Sequence, residues 1–133
     1  MTKFYEQVKE RLMRYARINT ESDPHSTSVP TTSCQHDLAS VIYEELQKIG
    51  ATNVYYDKDT CVVYGSLEAN VKSGRAIGFV THMDTAPDAS GKDVKPWVLE
   101  NYDGNDIVLN KEKDIVMSPN VFPNLKQYIG QDL

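Results

Sequence analysis

Phe4, Val8, Leu12 and Tyr15 recur at helical spacing, while Lys3, Glu6, Lys9, Glu10 and Arg14 fill much of the other face. The spacing predicts an amphipathic helix over residues 3–18. Residues 19–32 are rich in Ser, Thr, Pro and Asp and read as a loop. A second helix starts near Cys34, where Thr32-Ser-Cys-Gln35 fits a capping box with Gln35 reaching back to the cap. Leu38, Ile42, Leu46 (or Glu45 on the boundary) and Ile49 form its apolar stripe, and Gly50 is the stop signal. Val54-Tyr-Tyr and Cys61-Val-Val-Tyr flank Asp57–Thr60 and predict a β-hairpin. After a polar turn over Glu68–Gly74, Ala76–Thr81 is a short apolar run that predicts a strand, central in its sheet and buried on both faces. Residues 85–104 form a long loop, a length that is usually functional in a compact domain. Ile107–Leu109 and Ile115–Met117 predict a second hairpin around Asn110–Asp114. The tail from Ser118 shows no clear period, and Gly130–Leu133 reads like the beginning of another strand.

The apolar run ends in His82-Met-Asp84. On a strand, alternate side chains share a face, so His82 and Asp84 would point the same way with Cα atoms ~6.6 Å apart at ~3.3 Å rise per residue. An aspartate gripping one imidazole nitrogen fixes the tautomer and leaves the other nitrogen for a metal. The pair would stand at the C-terminal end of a strand, where open α/β sheets place their sites. Alone the pair is a weak signal, because a histidine at a strand end is more often hydrogen-bonded structure.

Composition narrows the classes. The 133-residue chain suits one domain, with 40% hydrophobic and 25% charged residues. A net charge of −5 argues against nucleic acid and anionic membranes as partners. No apolar stretch approaches the ~18 residues of a membrane helix, and the N-terminus has no signal-peptide core. Cys34 and Cys61 fall in unrelated contexts and read as reduced thiols, pointing to a cytoplasmic setting. Cys34 and His36 sit one residue apart at a helix start and point in different directions, so a shared ion is disfavoured. His25 reads as a solvated loop residue, and Asp88, Asp93, Asp103 and Asp106 as turn chemistry. Trp97 suits a cleft wall or a core anchor equally. Cys61 in an apolar strand is an inert thiol. There is no Gly-x-Ser-x-Gly elbow, Gly-rich phosphate loop or His-Glu-x-x-His helix.

The string Thr81-His-Met-Asp-Thr-Ala-Pro-Asp-Ala-Ser-Gly91 resembles the first metal motif of the peptidase T family of tripeptide aminopeptidases, within the superfamily of co-catalytic zinc exopeptidases, deacylases and aminoacylases. The resemblance extends through Ser33-Cys-Gln-His-Asp-Leu-Ala39, Lys95-Pro-Trp-Val-Leu-Glu-Asn-Tyr-Asp-Gly104 and Phe122-Pro123. It implies an α/β fold: an incomplete three-layer zinc-exopeptidase catalytic domain, with two N-terminal helices packed on a mixed sheet. Residues 1–133 would be the N-terminal part of that domain, truncated before the bridging-aspartate motif. The resemblance assigns His82 as a metal ligand and Asp84 as the catalytic residue that orients it. It implies two zinc ions in the complete site and at most a partial site here. The remaining ligands and the general base would lie beyond Leu133. The implied substrates are short peptides, notably tripeptides. The alternative is a catalytically incomplete fragment with a structural or association role, self-associating through surface that truncation uncovers.

Overall fold

The computed structural model describes residues 3–72 and 74–133. The chain forms two compact units, Met1–Pro96 and Trp97–Leu133. In the first unit, helix α1 spans Lys3–Tyr15 and helix α2 spans Gln35–Lys48. Strands β1 (Thr52–Asp57) and β2 (Val62–Ser66) pair antiparallel, with Tyr55 opposite Tyr64 and Asp57 opposite Val62.

α2 is the organising element of this unit. Its Leu38 and Ala39 are buried, and the helix lies on the β1–β2 hairpin. Gly65 in β2 makes this approach possible, since a Cβ there would stand 3.2 Å from the Leu46 methyl. The helix ends in a Schellman motif: the Gly50 amide donates to the Gln47 carbonyl and the Ala51 amide to the Leu46 carbonyl. That geometry needs the left-handed conformation, which Gly50 supplies at φ 84°. The predicted capping box is not formed. Cys34 has helical φ and ψ and caps no amide, while the Gln35 amide donates instead to the Thr31 and Thr32 hydroxyls at 3.1 and 3.2 Å. Tight turns fill the gap, with the His36 amide on Ser33 and the Asp37 amide on Cys34.

The first hairpin is where the pattern predicts it. Cys61 lies just before β2 rather than inside it, at φ 57° in the turn, and is buried beside Tyr56. α1 stops at Tyr15, short of residue 18, because the next turn tightens: the Arg17 and Ile18 amides reach back three residues to Arg14 and Tyr15. Its apolar stripe is not covered, for Phe4 and Leu12 are 72% and 68% exposed. α1 is fastened to α2 by polar contacts instead. Arg14 and Tyr15 both bind the Glu45 carboxylate, with Arg11 at 3.5 Å.

Three expectations are corrected here. Ala76–Thr81 is not a strand, and Ile77, Phe79 and Val80 are 82%, 93% and 100% exposed. The described residues contain no mixed sheet, only two separate two-stranded antiparallel sheets. Of the two helices, only α2 packs broadly on a sheet. The physical reason is common to all three. A central strand needs neighbours that satisfy its backbone on both edges. β1 and β2 pair only with each other, and Ala76–Thr81 has no ladder to join. The polar turn expected over Glu68–Gly74 lies partly outside the described residues; Asn70, Val71 and Gly74 are bends.

In the second unit, β3 (Ile107–Asn110) and β4 (Ile115–Met117) form the expected hairpin, with Ile107 opposite Met117. Asn110 stabilises its turn by accepting from the Lys113 amide. Tyr102, Ile107 and Leu125 make a small core, with Leu99 and Met117 packed against it. Leu125 comes from a 3₁₀ helix, Pro123–Tyr128, in the tail where no period is visible in the sequence. Gly130–Leu133 lies alongside Leu99–Tyr102, held by backbone hydrogen bonds.

Candidate functional site

His82 and Asp84 meet, although no strand presents them. His82 Nδ1 lies 2.9 Å from the Asp84 carbonyl oxygen and 3.1 Å from Asp84 Oδ1. Both partners are acceptors, so in the neutral ring Nδ1 carries the hydrogen. Nε2 then keeps its lone pair. The ring is well exposed and the carboxylate half-exposed. The contact arises inside an irregular segment rather than along a strand.

The segment is anchored on its C-terminal side. Thr85 forms a parallel bridge with Glu21: the Thr85 amide donates to the Thr20 carbonyl at 3.1 Å, and the Ser22 amide donates to the Thr85 carbonyl at 2.9 Å. The Ser22 hydroxyl donates to the same carbonyl at 3.0 Å. Further along the loop, the Gly91 amide donates to Glu21 Oε2 at 3.0 Å. Glu21 is itself tied to the start of α2, because the Thr32 hydroxyl donates to its carbonyl at 2.6 Å and Gln35 donates to Thr32. Beside this anchor lies a polar cleft of about 650 Å³, whose walls include Glu21, Asp23, His25, Cys34, Pro87 and Lys92. Neither His82 nor Asp84 lines it.

Sequence reasoning finds the His82–Asp84 pair and misses Glu21. The only local signal is Gly91, where a Cβ would stand 2.6 Å from Asn19 Oδ1. The other candidates do not join the site. Cys34 contacts the Thr32 hydroxyl and the Glu21 carbonyl, whereas His36 Nδ1 meets the Tyr56 hydroxyl, so the two diverge as expected. His25 is exposed, and its amide donates to Asp23. Burial pushes the Cys61 thiol up from its ordinary value, which keeps it protonated and unreactive. Asp103 accepts from the Asn105 amide and side chain, bonds that hold its carboxyl below the usual range. Trp97 is half-exposed on the wall of a cleft of about 270 Å³ within the second unit.

His82 fits one imidazole ligand to a metal. Among the described residues, no three His, Cys, Asp or Glu side chains are grouped to hold an ion. Nor is any described helix long and apolar enough to cross a membrane.

No family model matches the chain. Curated relatives do. Peptidase T of Alkaliphilus oremlandii (strain OhILAs) is 48% identical over 127 residues, covering 93% of this chain and 31% of the relative. Peptidase T of Geobacillus kaustophilus (strain HTA426) is 48% identical over 129 residues, 96% of this chain and 31% of the relative. The chain is homologous to Peptidase T. The Peptidase T of Fusobacterium nucleatum subsp. nucleatum is more distant at 43% identity, and the match covers 99% of the chain and 32% of that protein. The chain thus spans about a third of the length of the Peptidase T relatives it matches.

Proposed function

We propose that this chain is the N-terminal part of a zinc-dependent tripeptide aminopeptidase of the Peptidase T type, acting in cytoplasmic peptide breakdown, with His82 as a metal ligand and Asp84 as its orienting catalytic carboxylate. The observation that supports this is the double acceptor at His82 Nδ1, which leaves the Nε2 lone pair of an exposed ring for a metal. Zinc suits the neutral imidazole donor and, when bound, supplies Lewis acidity and an activated water for amide hydrolysis. The residues present do the preparatory work. Asp84 holds the ring in one tautomer, and its negative charge favours an imidazole that donates to a cation.

A catalytic zinc site uses about three protein ligands and an open position. Among the described residues no three such side chains are grouped, and this proposal names one ligand, His82. That favours a second statement about the 133 residues taken alone: they act as a structural or association unit without turnover. Zinc titration followed through the His82 ring nitrogens separates the readings. A zinc-dependent shift at Nε2, absent in His82→Ala, supports the ligand assignment. Zinc that leaves the His82 ring unchanged removes it.

A further inference from the structure

We propose that Glu21 is the positioning residue of the His82–Asp84 segment, acting through Thr85 and Gly91. The inference rests on the ligand reading of His82 and adds the group that holds the ligand in place.

The Glu21 segment uses its main chain and its side chain on the same target loop. The strand-like exchange between Thr20–Ser22 and Thr85 fixes the residue directly after Asp84. Oε2 fixes the amide of Gly91, the last residue of the motif string that begins at Thr81. A carboxylate accepting a backbone N–H makes a charge-assisted bond, about twice as strong as a neutral one. Gly91 is required for this approach: any Cβ would meet Asn19 Oδ1 at 2.6 Å and Thr85 Oγ1 at 3.3 Å. Asn19 Oδ1 is already engaged, accepting the Glu21 amide at 3.2 Å. On the far side, Gln35 and Thr32 tie the Glu21 carbonyl to the first turn of α2, and Gln35 is buried. A continuous hydrogen-bonded path thus runs from the helix on the hairpin to the loop that carries His82.

The need for such an anchor is plain from the upstream side. Ile77, Phe79 and Val80 are exposed and unpaired, so the chain entering His82 offers no ladder to hold the segment. Restraint comes from Thr85 onward.

The test reads the His82 tautomer by nitrogen-15 NMR of the imidazole ring in the 133-residue protein without zinc, at about pH 8 where imidazole is neutral. A ring free in water favours the Nε2–H form, and exposed His25 serves as that reference. The wild type and Glu21→Gln, which keeps an oxygen acceptor for Gly91, should both show the Nδ1–H form at His82. Glu21→Ala should move His82 toward the His25 pattern, while the His36 ring, held by Tyr56, stays unchanged and reports an intact α2–hairpin. Retention of the Nδ1–H form in Glu21→Ala overturns the proposal. If Glu21→Ala disturbs His36, Gly91→Ala decides instead, since it displaces the loop from the opposite side; an unchanged His82 ring there overturns the proposal equally. Zinc added afterwards to the wild type tests the ligand reading independently. A ring fixed by Glu21 but indifferent to zinc would refute that reading and leave the positioning role standing.

Discussion

Leu99 and Leu133 each donate a backbone hydrogen bond to the other, both at 2.9 Å. Tyr102 and the Gly130–Gln131 peptide extend the pairing: the Tyr102 amide donates to Gln131 and the Gly130 amide donates to Tyr102. This ribbon closes the second unit over its small core. Gly104 sits beneath it at φ 89°, where a Cβ would stand 2.9 Å from the Ile129 methyl. Gly104→Ala should therefore destabilise the unit by roughly 1–2 kcal/mol from the left-handed backbone alone. Urea unfolding followed by the fluorescence of Trp97, the single tryptophan, measures it.

In the first unit, Leu38→Ala should cost about 2–4 kcal/mol, because the side chain is buried. Loss of helical circular dichroism at lower urea is the readout. Phe4→Ala, on the uncovered stripe of α1, should change the midpoint little.

Two carboxylates set an acid limit. Asp57 is lowered chiefly by the Thr60 side-chain hydrogen bond, and Asp103 by the Asn105 backbone amide. A folded value below the unfolded one means that the stabilisation is fully present above the ordinary 3.8 and is lost as pH falls through the lowered folded values. Carbon-13 titration of the carboxyls should place both midpoints below 3.8. Asn105→Ala keeps the backbone amide and removes only the side-chain bond, so Asp103 should move up part of the way and Asp57 should stay where it is.

Activity gives a direct expectation. The 133-residue protein should release no amino acid from a tripeptide with zinc added, because residues that act as a unit lose nearly all rate when any is absent. His82→Ala serves as the control for contaminating peptidase. Turnover that disappears in His82→Ala would mean that these residues assemble a complete site.

The exposed run from Ile77 to Val80 should drive association between copies, since an unpaired apolar segment offers both surface and backbone to a neighbour. Sedimentation should show mass rising with concentration in the wild type. Phe79→Lys should lower it without altering helix content.

The sequence pattern reads the two hairpins and α2 because each carries its own signal: polar turns at Asp57–Thr60 and Asn110–Asp114, and Gly50 after the last apolar position. It misplaces Ala76–Thr81 for a definite reason. Apolarity records what a segment gains by burial and says nothing about whether a partner strand is present. It misses the 3₁₀ helix at Pro123–Tyr128, where Leu125 alone is buried and no stripe can form. At the site, His82 and Asp84 are legible because two residues suffice. Glu21 is not, because the bond to Gly91 joins positions 70 apart, and such a partner shows only in three dimensions.

The anchor at Glu21 has a consequence for the order of folding. The β1–β2 hairpin and its cover by α2 are local in sequence, and local contacts form early. The Ser22–Thr85 and Glu21–Gly91 bonds span 63 and 70 residues, so the chain entropy of a long loop must be lost before either is made. Segments held by few long-range bonds are also the first to open from the native state. The His82–Asp84 segment is held by bonds of that kind. Under the ligand role proposed for His82, a cation would act on a late step of folding, and its affinity would include the work of completing the loop.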